Sequence, residues 1–122
     1  MTTTLDVVEL TSTLEAASQA RAAVRTSLSG AGTETIDHAC LMVDELVANA
    51  LVDVGGPVRL VLERHPDRLV VEVVDAGANG PTDVPASQRI GIAQVMLDAW
   101  ADEWGTLDQT SGSSVWFTVP VG

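Results

Sequence analysis

At 122 residues the chain is long enough to bury one substantial core but not two independent ones, which sets a single domain over residues 1–122 as the expectation. Hydrophobic residues make up 46% of it, with no Tyr and one Phe; that is a globular composition with a core of mostly Val, Leu and Ala, and it excludes a disordered chain. Six basic residues against 17 acidic ones give a net charge of −11, which repels nucleic acid and anionic membrane, so direct binding to either is not expected.

The same acidity fits plain solubility or a basic protein partner, and composition does not separate the two. No apolar run approaches the roughly 20 residues needed to span a bilayer, and "MTTTLDVVEL" lacks the basic start and apolar middle of a secretory signal, so a cytoplasmic location is expected. The one cysteine, Cys40, sits among apolar neighbours and reads as a buried, inert thiol.

In chain order, the β-branched "TLDVVEL" predicts a first strand near residues 4–10. "STLEAASQARAAVRTSLSG" opens with a capping-box spacing, Ser12 and Glu15, and stops at Gly30, which predicts a helix with Leu14, Ala17, Val24 and Leu28 on one side. After "GAGT", the apolar residues Ile36, Ala39, Cys40, Val43, Leu46, Val47, Ala50 and Leu51 recur at three and four. They predict a second helix that reaches about Val52 and is ended by Gly55, Gly56 and Pro57. "VRLVLER" and "RLVVEVVD", separated by "HPD", predict an antiparallel hairpin.

Residues 76–89, "AGANGPTDVPASQR", lack any period and read as a long loop of the kind that is functional or mobile. A third helix is expected over "IGIAQVMLDAWADEW", then a turn "GTLDQTSGS", then a last strand "SVWFTV". The order β-α-α-β-β-α-β predicts an α/β (α+β) two-layer sandwich, a mostly antiparallel sheet covered on one face by helices.

The second helix carries chemistry opposite its core stripe. At roughly 100° per residue, Glu45 and Asn49 lie about 40° apart on the side away from the apolar positions. Two readings stay open: a solvated face shared with His38, Asp44 and Ala48, or a carboxylate and an amide oxygen projecting into a cleft as general base and Mg2+ ligand. Asp75 ends a strand at the start of the glycine-containing loop with Gly77 and Gly80. It reads either as a turn-initiating Asp or as the acceptor for an exocyclic amine. Gly91 opens the third helix, whose backbone N–H groups are candidates to face phosphate.

Taken in order, "DELVANA", "VVDAGANG", "RIGIAQVMLDAWADEWG" and "SGSSVWFTV" resemble the four boxes of the GHKL-type (histidine-kinase-like) ATP-binding domain, and more closely its anti-sigma-factor serine/threonine kinase branch. The resemblance spans nearly the whole chain. It implies a two-layer sandwich holding ATP and Mg2+ between sheet and helices, phosphorylating a small antagonist protein on serine or threonine and controlling a sigma factor. By position it implies Glu45 as the general base, Asn49 as the Mg2+ ligand, and Asp75 as the carboxylate that reads the adenine amine. It further implies Gly77 as the glycine beneath the base, Gly91 as the glycine near the phosphates, and Ser114 as the hydroxyl residue supporting the adenine site.

Two departures bear on activity. Leu51, Val52 and Asp53 follow the Asn-Ala pair where the family often carries positive charge. The segment before the third helix, "SQRIG", is poor in glycine, with Arg89 as its nearest cation. They motivate an alternative, a non-catalytic partner-binding regulator with a degenerate nucleotide site. Trp100 and Trp104, one turn apart on the expected third helix, fit either core packing or a homodimer face.

Overall fold

In a computed structural model of the chain the described residues are 3–11, 15–53, 57–75, 90–109 and 112–121, the side chains of 52, 53 and 109 excepted. The expected cap at Ser12, Leu14 on the first helix, the helix-ending Gly55 and Gly56, and the loop 76–89 with Gly77, Gly80 and Arg89 fall outside this set.

Five strands and three helices follow one another as β1 (Thr4–Leu10), α1 (Glu15–Ser27), α2 (Thr33–Asp53), β2 (Val58–Arg64), β3 (Arg68–Asp75), α3 (Ala93–Trp100), β4 (Glu103–Gln109) and β5 (Gly112–Pro120). The strands form one antiparallel sheet in the order β1-β2-β3-β5-β4. The α+β two-layer sandwich expected from the sequence is the architecture found, and both strands of the β2–β3 hairpin have the anticipated bounds. The hairpin closes through His65 N–H donating to the Arg68 carbonyl at 2.8 Å.

One element differs. "EWGTLDQ" is β4 and not the end of a helix followed by a turn, so the third helix is only the eight residues Ala93–Trp100. The apolar-rich "MLDAWADEW" keeps a helical period through Trp104, but the chain leaves the helix at Ala101, whose backbone is extended (φ −83, ψ 146). The Asp102 N–H then reaches the Thr118 carbonyl at 2.9 Å, which starts the pairing with β5. Trp104 therefore stands on a strand opposite Phe117, its indole N–H bonded to Asp98 at 2.9 Å, and it does not share a helical face with Trp100. Sheet pairing overrides a weak periodic signal here because β5 offers β4 a complete ladder of backbone partners.

Period-two alternation divides the sheet into two faces. Leu60, Leu62, Leu69, Val71, Val73, Phe117 and Val119 are buried beneath the helices. α1 covers that face with Ala16, Ala20 and Val24, whose four-residue spacing stacks them on one side of the helix, and Leu28 follows in the turn just after it, each fully buried; Ala17 lies at the margin. α2 contributes Ala39, Met42, Val43, Leu46, Val47 and Ala50. Small alanines bring α1 close to α2, and an ion pair between Arg21 and Asp44 spans the two.

The turn after α1 needs Gly30, whose φ of +94° lies in the left-handed region that L side chains enter at a cost of roughly 1–2 kcal/mol. Among the described residues no helix is long and apolar enough to cross a membrane.

α3 runs antiparallel to α2. The His38 and Trp100 rings stack at 4.2 Å and 3°, while eleven residues further along α2 the Asn49 amide donates to the Ile90 carbonyl at 3.0 Å, just before α3 begins. Cys40 is buried, and burial pushes its thiol pKa up.

Two outcomes follow from this packing. Cys40 is expected to resist a disulfide-exchange reagent such as dithionitrobenzoate in the native protein and to react completely in denaturant. Because its folded-state pKa is raised, the stability it contributes is present below the unfolded thiol value and is lost as pH rises through the folded one. At Gly105 a Cβ would meet the Trp116 indole at 2.9 Å, so Gly105→Val is expected to lower stability by about 1–3 kcal/mol in a urea titration.

Candidate functional site

The end of β3 and the second half of α2 face each other across a narrow gap. Asp75 is the last residue of β3, and alternation puts its side chain on the helix-covered face, below Val73 and Val71. Its carboxylate is 6% exposed. A carboxylate so buried needs hydrogen-bond donors to remain charged, and β5 supplies one. Ser113 stands directly opposite Asp75 in the ladder, and its hydroxyl donates to Asp75 Oδ2 at 3.1 Å.

Across the gap, Asn49 projects from α2 toward the sheet. Its amide N–H bond to Ile90 orients the carboxamide, so that Oδ1 points away from the Ile90 carbonyl, given this assignment of the amide's O and N. Asn49 and Asp75, with Leu46, Ala50, Val73, Ile90, Ser113 and Val115, line one cavity of about 20 Å3. That is room for about one water molecule.

Glu45 sits one turn before Asn49 on α2, half-buried and outside this lining; among the described residues it makes no hydrogen bond or ion pair. The structure thus brings Asn49 and Asp75 together and leaves Glu45 a turn away, outside the lining.

The remaining expected site residues distribute differently. Ser114 is one residue from Ser113 and therefore on the other face of the sheet, where its hydroxyl donates to Glu72 Oε2 at 2.8 Å; the hydroxyl that reaches Asp75 belongs to Ser113. The signal for this was present in the alternation of "VVEVVD" and "SSVWFTV", once their register is known. Gly91 lies beside the gap with φ +52°, a value that glycine adopts without strain, and a Cβ there would meet open space.

The helix itself starts two residues after Gly91. Its first N–H groups, on Ala93, Gln94 and Val95, donate to the carbonyls of Ile90, Gly91 and Ile92 at 2.9, 3.2 and 3.1 Å. They are therefore not open to phosphate in the way expected of a helix beginning at Gly91. Gly77 and the side chain of Asp53 lie outside the described residues.

The donor set is compatible with a nucleotide and Mg2+. Asp75 offers a buried acceptor suited to an exocyclic amine, and Asn49 Oδ1 a hard oxygen for a cation that takes its other ligands from phosphate and water. No cluster of three or more His, Cys, Asp or Glu that would hold a metal by itself exists among the described residues, so a cation here depends on the nucleotide. The available space is the constraint. The cavity of about 20 Å3 between α2 and β3 is too small for a purine.

Replacing Ser113 by Ala removes a charge-assisted bond to a buried carboxylate and is expected to cost about 1.5–3 kcal/mol of stability. Ser114→Ala acts on the half-buried Glu72 and is expected to cost less; chemical denaturation of the two variants side by side makes the comparison.

No family model matches the sequence, and no curated protein matches it.

Proposed function

We propose that the protein is a cytoplasmic, Mg-ATP-binding regulator of the anti-sigma-factor serine/threonine kinase type. The observation that carries this reading is the convergence of Asp75 and Asn49 on one gap between the sheet and α2. A buried carboxylate at a strand end and an amide oxygen across from it provide the two recognition functions a nucleotide requires, one for the base and one for the metal-bound phosphates. The sandwich fold supports it, since the gap lies between the layers where the resemblance puts the nucleotide.

In this reading Asp75, held by Ser113, accepts a hydrogen bond from the adenine amine. Asn49 Oδ1 faces the cation. Glu45, one turn before Asn49 on α2 and without a protein partner among the described residues, accepts the proton of a serine or threonine hydroxyl on the antagonist protein. The nucleotide supplies the phosphoryl group when bound, and the contribution of the chain is positioning and charge placement. The partners are an antagonist protein and a sigma factor, with a second copy of the chain as a further candidate.

A specific feature favours the alternative. The Asn49–Ile90 hydrogen bond spans a gap whose cavity is only about 20 Å3, and Asp53 ends α2 where positive charge would help a triphosphate. A non-catalytic partner-binding regulator uses the same fold without opening that gap.

Calorimetry with ATP and Mg2+ separates the two. The kinase-type reading expects saturable binding in the millimolar range or tighter, abolished by Asp75→Asn, together with perturbation of the Asn49 side-chain amide resonances as their bond to the Ile90 carbonyl is released. It also expects Glu45→Ala to keep binding while lowering phosphoryl transfer to the antagonist by about 100-fold or more. No binding at millimolar nucleotide, or transfer unaffected by Glu45→Ala, overturns it.

A further inference from the structure

Among the described residues the helices cover one face of the sheet and none covers the other, which carries a cavity of about 340 Å3. Its floor is a single cross-strand row. Glu9 pairs with Arg59, Arg59 with Val74, Val74 with Ser114 and Ser114 with Leu107, so one residue from each of the five strands lies side by side. A volume of that size is in the range of small-molecule sites.

The electrostatics of the row are uneven. At one end Arg59 Nε donates to Glu9 Oε1 at 2.7 Å, which neutralises both groups. In the middle, Glu72 reaches into the cavity from β3 with one carboxylate oxygen held by Ser114 at 2.8 Å. No Arg or His among the described residues pairs with it. The neighbouring wall is apolar, formed by Val74 and by Leu107, which is 48% exposed. A half-buried carboxylate fixed by a hydroxyl, with an apolar shelf beside it and the Arg59 of the same lining engaged by Glu9, is the complement of an organic cation on an aliphatic stem.

We propose that this cleft binds a guanidinium or alkylammonium group, which pairs with Glu72 while its stem lies against Val74 and Leu107. The cavity opens on the sheet face away from the helices and reaches Asp75 and Ser113 only at its strand-end edge, while Glu72, Val74 and Leu107, on which the inference rests, are absent from the lining of the gap beside Asn49.

The test is calorimetry and amide chemical-shift mapping on the full chain with three probes. Agmatine represents a free cation, N-acetylarginine amide the same group carried by a polypeptide, and N-acetylnorleucine amide an uncharged stem. Binding of either cationic probe is expected, with shifts centred on Val74, Leu107 and Ser114, an affinity that falls with added salt, and little binding of the norleucine compound. The tighter of the two cationic probes identifies the source of the group.

Glu72→Gln, which keeps the side chain's shape, is expected to weaken the cation at least ten-fold. Leu107→Lys, on the exposed β4 row, places an ammonium in the cavity and is expected to abolish binding while the thermal melt stays unchanged. Absence of binding by both cations, equal binding of the norleucine probe, or unchanged affinity in the two folded variants overturns the proposal.

Discussion

Asp75 and Ser113 stand directly opposite each other on the two central strands, and the register that pairs them decides which side chains every other part of the molecule can use. With β3 and β5 locked in this alignment, Leu69, Val71, Val73, Phe117 and Val119 fall on one face and require the cover that α1 and α2 provide. A slip of one residue in either strand would send that strand's apolar set to solvent and its polar set, Asp75 or Ser113 among them, out of the gap. The register is therefore held by the whole core, and the buried carboxylate is a passenger on that energy. This is how a costly polar group persists at the end of an otherwise apolar strand.

The same alternation produces two chemically distinct surfaces a single residue apart. Ser113 looks inward to Asp75 and Ser114 outward to Glu72, each a serine hydroxyl donating to a carboxylate at 3.1 and 2.8 Å. The inward pair belongs to a gap that α2 closes almost completely. The outward pair belongs to a cleft that nothing among the described residues covers. Two carboxylates of the same strand are thereby placed on opposite faces by the pleat, and the outer cleft reaches Asp75 and Ser113 only where the strands end.

α3 links the inner gap to the packing of the helical layer. Its C-terminal Trp100 stacks on His38 and its lead-in residue Ile90 receives the Asn49 amide, so both ends are anchored to α2. The Asn49 contact is a single neutral hydrogen bond, with a net worth of order 1 kcal/mol. The ring stack and the buried Leu97 and Ala93 hold the rest of the helix. Ile90 is itself buried in the same core, 3% exposed, so the Asn49 contact and the apolar packing anchor this end of the helical layer together.

Much of this was legible in the chain itself. The core stripe of α2, the bounds of β1, β2 and β3, the antiparallel hairpin and the two-layer class follow from local periodicity and turn residues, because burial on one face imposes a period of 3.6 or 2 on the residues that satisfy it. The placement of Asn49 on the side away from that stripe was not borne out, because fully buried Met42 widens the covered face of α2 and Asn49 lines the gap with Leu46 and Ala50. The strand β4 was not legible, since "EWGTLDQ" carries no strong alternation of its own and becomes a strand only because β5 presents an unpaired edge. Nor could the chain say that Ser113 and not Ser114 meets Asp75, that Asn49 would spend its amide N–H on Ile90, or that Glu72 would stand over a cleft with Val74 and Leu107. Those are relations between residues remote in sequence, and register and layer packing, which no local pattern encodes, bring them together.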